Sequence, residues 1–193
     1  MTDPNDTQAS PKTGAKASTL TDLPDRLLDG GELDMRIAAD GTWFYQGSPI
    51  RRQPLVKLFS TVLRREDDGS YWLVTPVERG RVVVEDAPFL AVELAQEGSG
   101  RDRRLRLRTN VDDWVDLDGE HPLRVEERGD SEEPRPYILV RPGLEARLVR
   151  SVYYHLADLA ESESVGKEER LGVWSNGHFF PLTASSPGPA ARS

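Results

Sequence analysis

The chain has no cysteine and only two methionines in 193 residues. It therefore has no disulfide and no thiolate metal site, and it lacks the residue whose pattern usually indicates redox compartment. No run approaches the ~18 consecutive apolar residues of a membrane span. The N-terminus shows no charged-then-apolar secretory pattern. Positive charge is also scarce: 25 Lys and Arg stand against 33 Asp and Glu, a net charge of −8. That balance argues against a general nucleic-acid binder, which needs a basic face to displace phosphate counterions. It leaves room for a local basic pocket. The expectation is a cytoplasmic protein with neither nucleic acid nor membrane as partner, and with no cofactor.

Catalytic signatures are missing as well. The chain contains no Gly-x-Ser-x-Gly elbow, no phosphate-binding glycine loop and no Rossmann fingerprint. His121, His155 and His178 are far apart in sequence and show no i, i+4 metal spacing. The acidic run Asp112–Gly119 resembles a calcium loop but fails its template. If Gly119 takes the turn position, Trp114 and Val125 fall where the first and last ligands are required. A solvated hairpin end fits the run better. Nothing places a nucleophile beside a base.

What is present is a repeat. Trp43–Ile50 reads as a hairpin, Pro54–Arg64 as a helix, and Asp68–Val74 as a second hairpin. Near the C-terminus the order recurs. Strands pair across Pro142-Gly143, a helix covers Ser151–Ala160, and a hairpin covers Val173–Phe180. Proline suits a first helical turn, where its missing N–H has no partner in any case. Leu55, Leu58, Phe59 and Val62 fall at i, i+3, i+4, i+7, which predicts one apolar face. Superposing the helices sets Arg52 on Arg150, Leu55 on Tyr153, Lys57 on His155 and Leu58 on Leu156. Trp72 then matches Trp174. Two β-β-α-β-β units imply a seam, and a seam between similar units is a common ligand position.

The middle of the chain is strand-rich. Phe89–Gln96 alternates, and Arg104-Leu105-Arg106-Leu107-Arg108 alternates strictly, with leucines for a core and arginines outside. Those arginines could form a nucleic-acid stripe. In an acidic chain, cross-strand pairing with Glu93 and other acids is the better reading. Residues 129–134 read as a polar loop between the middle sheet and the second unit. The expected division is an N-terminal subdomain over 20–79 and a C-terminal one over 80–183. A further short helix is expected over 21–28, and residues 1–19 and 184–193 are expected to be disordered tails.

One electrostatic feature stands out. Cations are disfavoured at helix N-termini, yet Arg51 and Arg52 precede the first helix and Lys57 lies near its first turn. Arg147 and Arg150 precede the second. Such an arrangement suits an anion site, where backbone N–H groups and guanidinium forks hold phosphate or carboxylate. Pairing with neighbouring acids is the structural alternative. Arg52, Lys57 and Arg150 are the candidate anion ligands, and Trp43, Tyr45 and Trp72 the candidates for stacking on a planar group. Such aromatics more often belong to a core.

Several segments together resemble the bacterial domain-of-unknown-function family 1285. They are Trp43–Ile50, Leu55–Phe59, Tyr71–Glu78, Thr109–Val111, His121–Leu123, Tyr137–Arg141, Gly143–Ala146 and Val152–Tyr154. The resemblance spans most of the chain between the tails. It implies a duplicated α+β core with a C-terminal part loosely like pleckstrin-homology folds, a nucleotide-like ligand between the domains, and a role in signal transduction. It carries no catalytic motif. The leading reading is a strand-rich α+β ligand-binding module for a small anionic molecule at the interdomain seam. A protein-interaction module is the alternative, and an unrecognised hydrolase the third.

Deleting residues 1–18 and 184–193 should leave the melting temperature within a few degrees of the full chain, because these segments hold too few apolar side chains to offset the ordering cost of ~1–2 kcal/mol per residue. A larger fall in a thermal melt would show that one of them docks.

Overall fold

The computed structural model describes residues 32–128, 131–166 and 168–183. The helix predicted over 21–28 and both predicted tails lie outside them.

The first unit opens with an antiparallel meander: β1 (Glu32–Ile37), β2 (Trp43–Tyr45) and β3 (Ser48–Pro49). Helix α1 (Gln53–Val62) follows. A second meander then runs through β4 (Leu63–Arg65), β5 (Tyr71–Val74) and β6 (Arg79–Val84). β6 returns parallel to β1 and joins the two meanders into one sheet, ordered β3-β2-β1-β6-β5-β4. β6 thus carries the first sheet to Val84, beyond the division expected at residue 79. Its Val82 is buried in the same core as Met35 and Leu73, which settles its place.

A third meander, β7 (Phe89–Glu97), β8 (Arg104–Thr109) and β9 (Trp114–Asp116), leads into the second unit. That unit consists of β10 (Leu123–Arg128), β11 (Ser131–Arg141), β12 (Leu144–Leu148), helix α2 (Arg150–Asp158), then β13 (Glu161–Val165), β14 (Glu168–Ser175) and β15 (His178–Pro181). The order of the first unit recurs: meander, helix, meander. The fold is a strand-rich α+β arrangement with an internal duplication. The two copies end differently. β6 pairs with β1, whereas β15 only lies against β10 and the last three strands form a sheet of their own. β12 instead pairs in parallel with β7, giving a second six-stranded sheet ordered β10-β11-β12-β7-β8-β9.

Three sequence expectations change. The described part of the segment expected as a spacer, residues 131–134, lies within β11, which begins at Ser131 and pairs with β10 so that Pro136 is opposite Val125. The middle strands and the second unit share one sheet, because Ala146 and Leu148 of β12 face apolar partners in β7, Phe89 and Ala91. In α1 the buried side chains are Val56, Phe59 and Ser60. The helix is rotated from the predicted face because it is covered on two sides. Phe59 stacks on Trp43 of the first sheet, while Gln53 and Ser60 meet groups from the second. The helix stops at Val62, and Leu63 enters β4 as a fully buried residue.

Other expectations hold. In β8, Leu105 and Leu107 are fully buried. Arg104 and Arg106 pair with Asp116, and Arg108 pairs with Glu93 and Asp112. The arginines are thus a charge ladder across strands, not a free basic stripe. The hairpins at Gln46-Gly47 and Asn176-Gly177 turn through two residues of positive φ each. That is the turn whose twist matches paired strands. One continuous cluster of buried apolar side chains runs through both units, so neither has a core of its own.

In β14, a Cβ placed on Gly172 would come within 2.4 Å of the Phe180 carbonyl oxygen and 2.6 Å of the Phe179 ring. Backbone cannot move aside as a side-chain tip can. Gly172→Ala should therefore destabilise the protein by about 1–3 kcal/mol, read as a lower denaturant midpoint with an unchanged slope. An unchanged midpoint would contradict this packing of β14 on β15.

Candidate functional site

The two units meet through polar side chains placed at the ends of strands and along α1. Gln53 Nε2 donates to Asn110 O at 2.8 Å, and Lys57 Nζ lies 2.5 Å from Asp112. Arg141 Nη2 donates to Ser60 O at 3.0 Å. Residues 53, 57 and 60 lie on one face of the helix. One side of α1 is thus polar and docks the second sheet, while the other packs into the first.

A further polar knot lies at the segment between β6 and β7. There Asp86 accepts a hydrogen bond from Tyr137 Oη at 2.8 Å. Its Oδ2 lies 2.8 Å from Arg147 Nε and 3.6 Å from an Arg135 guanidinium nitrogen. Arg147 also donates to Ala39 O at 2.8 Å and so reaches the β1–β2 turn. Asp86 Oδ2 and Arg147 Nε are both buried, yet the N–H is not aimed along a hydrogen bond. Arg124 lies over the Tyr137 ring, 4.3 Å from its centroid, and grips Glu145 with two nitrogens at 2.6 Å. Burial, helped by the nearby Asp86 charge, pushes the Tyr137 phenol above its ordinary value.

Beside this knot is a cavity of about 290 Å³, lined by Arg135, Arg147, Arg150, Tyr153, Tyr154 and the prolines flanking Arg135, Pro134 and Pro136, together with Leu148. β11 supplies Arg135 and its two prolines, β12 supplies Arg147 and Leu148, and the first turns of α2 supply Arg150, Tyr153 and Tyr154. The first turn of α2 carries no acidic residue and no side-chain cap. Its N–H groups therefore add to the positive potential. Tyr153 donates to Leu182 O at 3.3 Å, and burial raises its phenol above the ordinary value. Tyr154 is 55% exposed, so its ring face is available. Cationic forks, helix N–H groups and an accessible aromatic ring can together hold an anion and cover a flat group.

The predicted site residues are not gathered in one place. Arg150 lines the cavity and is itself engaged in another contact. Arg52 is exposed at the N-cap of α1 and forms no ion pair among the described residues. Lys57 is held by Asp112, which Arg108 also holds. Trp43 is 1% exposed and stacked on Phe59, a core residue that has no face for a ligand. Tyr45 packs against the core. Trp72 donates to Ser70 Oγ, and Arg79 already lies over its ring at 4.2 Å. None of these five lines the cavity. The sequence reading missed Arg135, which sat beside a supposed loop, and Asp86, a single acid between two strands. Both become visible only once β11 is paired with β12. The Pro-Arg-Pro of residues 134–136 was the one available signal, since it marks an arginine on a stiff backbone.

These features define a duplicated, strand-rich α+β protein with a polar seam and an arginine-lined cavity at its second helix. Residues 27–87 match the N-terminal domain of DUF1285, described as a domain of unknown function, and residues 88–182 match its C-terminal domain, described as a protein of unknown function. The chain belongs to the DUF1285 family. The crystal structure of a DUF1285 family protein from Silicibacter pomeroyi DSS-3 is similar, with 46% identity over 80% of this chain and 81% of that one, at a TM-score of 0.74. A DUF1285 family protein from Shewanella baltica OS155 is 29% identical over 65% of this chain and 91% of that one, at a TM-score of 0.51. Both organisms are bacteria. No curated protein matches the chain.

Tyr71, Tyr137 and Tyr153 are each shifted upward chiefly by burial. A phenol raised in the folded state stabilises the fold below its unfolded pKa of about 10, and that stability is lost as pH rises through the folded value. A spectrophotometric titration of the folded protein should show these phenols ionising above pH 10, together with loss of stability, and Tyr137→Phe should flatten that loss. A common midpoint near 10 for all five tyrosines in the folded state would contradict the seam as described.

Proposed function

We propose that the protein is a ligand-binding module of a signalling type. Its cavity at the start of α2, bordering the seam, recognises a small anionic, nucleotide-like molecule. The observation that carries this reading is the convergence of Arg135, Arg147 and Arg150 on one cavity beside Tyr154, in a chain of net charge −8. Arginine forks suit phosphate oxygens because two N–H groups can engage one anion at once. The accessible tyrosine face suits a base-like ring. The sequence reading placed the anion at Arg52, Lys57 and Arg150. The proposal keeps Arg150 and replaces the other two with Arg135 and Arg147.

A ligand that binds only the folded state stabilises it by about 2.7 kcal/mol at one hundred times its dissociation constant. A thermal-shift screen of nucleotides, pyrophosphate and inorganic phosphate should therefore yield at least one stabilising anion. Arg135→Ala and Arg150→Ala should each weaken that shift at least tenfold in half-saturating concentration, Arg52→Ala should not, and added salt should weaken it through screening. No shift with any anion, or a shift lost in Arg52→Ala and kept in Arg150→Ala, would refute the reading.

A further inference from the structure

Asp86 is an odd neighbour for an anion cavity. It comes from the segment joining β6 to β7, not from the strands and helix that line the cavity. Yet its carboxylate engages two of the three lining arginines, Arg147 at 2.8 Å and Arg135 at 3.6 Å. Its side chain is 14% exposed. Tyr137 Oη holds Oδ1 with a directed hydrogen bond. Oδ2 has none, and the Arg147 Nε beside it is likewise buried and undirected. The pair is close but poorly aligned, so an acceptor that meets the guanidinium along its N–H directions competes with Asp86 for it.

We infer that Asp86 is the cavity's internal counter-anion, holding Arg135 and Arg147 in the ligand-free protein and displaced from them by a compact anion of two or more charges. This rests on the reading of the cavity as an anion site. A carboxylate brings one negative charge and two oxygens. A phosphate ester or pyrophosphate brings more charge and at least three acceptor oxygens per phosphoryl group, enough to engage both guanidiniums together. A monocarboxylate offers no advantage over Asp86 and is excluded. The same arginine ties the cavity to the first unit, since Arg147 also donates to Ala39 O. Ligand capture of Arg147 therefore competes with both of its ties across the seam. Occupancy of the cavity is in this way coupled to the contact between the segment carrying Asp86 and the second sheet, as two ligands sharing one partner must be.

The test uses the full chain with pyrophosphate as probe, by calorimetry, in wild type, Asp86→Asn and Tyr137→Phe. Asp86→Asn should bind pyrophosphate at least tenfold more tightly than wild type. Tyr137→Phe, which frees Oδ1 but keeps the charge, should differ from wild type by a few-fold in the same direction and serves if Asp86→Asn does not fold. Glu145→Gln removes an equal charge from β12 without touching the cavity arginines, and should change affinity less than twofold. Hydrogen exchange of wild type at residues 85–91 should quicken when pyrophosphate is added. If wild type binds pyrophosphate and neither Asp86→Asn nor Tyr137→Phe binds it more tightly, or Glu145→Gln gains as much, the inference fails and the cavity reading stands. If neither wild type nor any variant binds pyrophosphate, the inference fails, and the cavity reading falls with it only if the nucleotides and inorganic phosphate of the thermal-shift screen also give no shift.

Discussion

The carboxylate of Asp86 is a shared tie between the two halves. It leaves the first sheet in the short stretch after β6 and is met by Tyr137 from β11 and Arg147 from β12. Arg147 in turn holds the β1–β2 turn through Ala39 O. One residue thus ties the connecting segment, the first sheet and the second sheet together. Removing one partner of a fully buried ion pair costs about 3–5 kcal/mol. Arg135 and Arg147 keep 38% and 27% side-chain exposure, so the cost here lies below that range. Value to specificity is a separate matter: the knot fixes which strand ends meet, a relation that apolar contact alone does not define.

The rest of the seam follows the same rule. α1 has two working faces, one apolar against Trp43 and one polar against the Asn110 turn and Arg141. It cannot rotate without losing one of them. The duplication explains why the second helix has a comparable place and a different surrounding. In the first unit the opening and closing strands pair and complete the sheet. In the second, β12 is taken by β7, and the closing meander packs separately, pinned by buried Arg103 on Leu159 O and Glu161. The start of α2 is therefore not buried under a neighbouring sheet, and a cavity remains there.

The elements were largely legible in the sequence, because alternation in β8, the proline start of α1 and the two positive-φ turns are local signals. The repeated order was legible for the same reason. Pairing was not. The parallel match of β12 with β7 joins residues more than fifty apart and leaves no local mark, so residues 129–134 looked like a spacer. The site was half legible. Misplaced cations at a helix start singled out Arg150, which lines the cavity, and a violated local rule is a common mark of a special site. Arg52 and Lys57 broke the same rule without sharing a cavity, because their helix start faces the acidic Asp112 turn. Trp43 and Trp72 are stacking candidates in the sequence beside the commoner core role of large aromatics, and Trp43 takes the core role.

The central claim is that anion recognition sits at Arg135, Arg147 and Arg150 and not at the first helix. The most direct measurement is a crystal of the protein soaked in tungstate, an oxyanion with strong anomalous scattering. The account predicts an anomalous peak within hydrogen-bonding distance of at least two of these three guanidiniums, with the Asp86 carboxylate turned from Arg147. A peak at Arg52 with the α2 cavity empty, or no peak at either helix start, would contradict it.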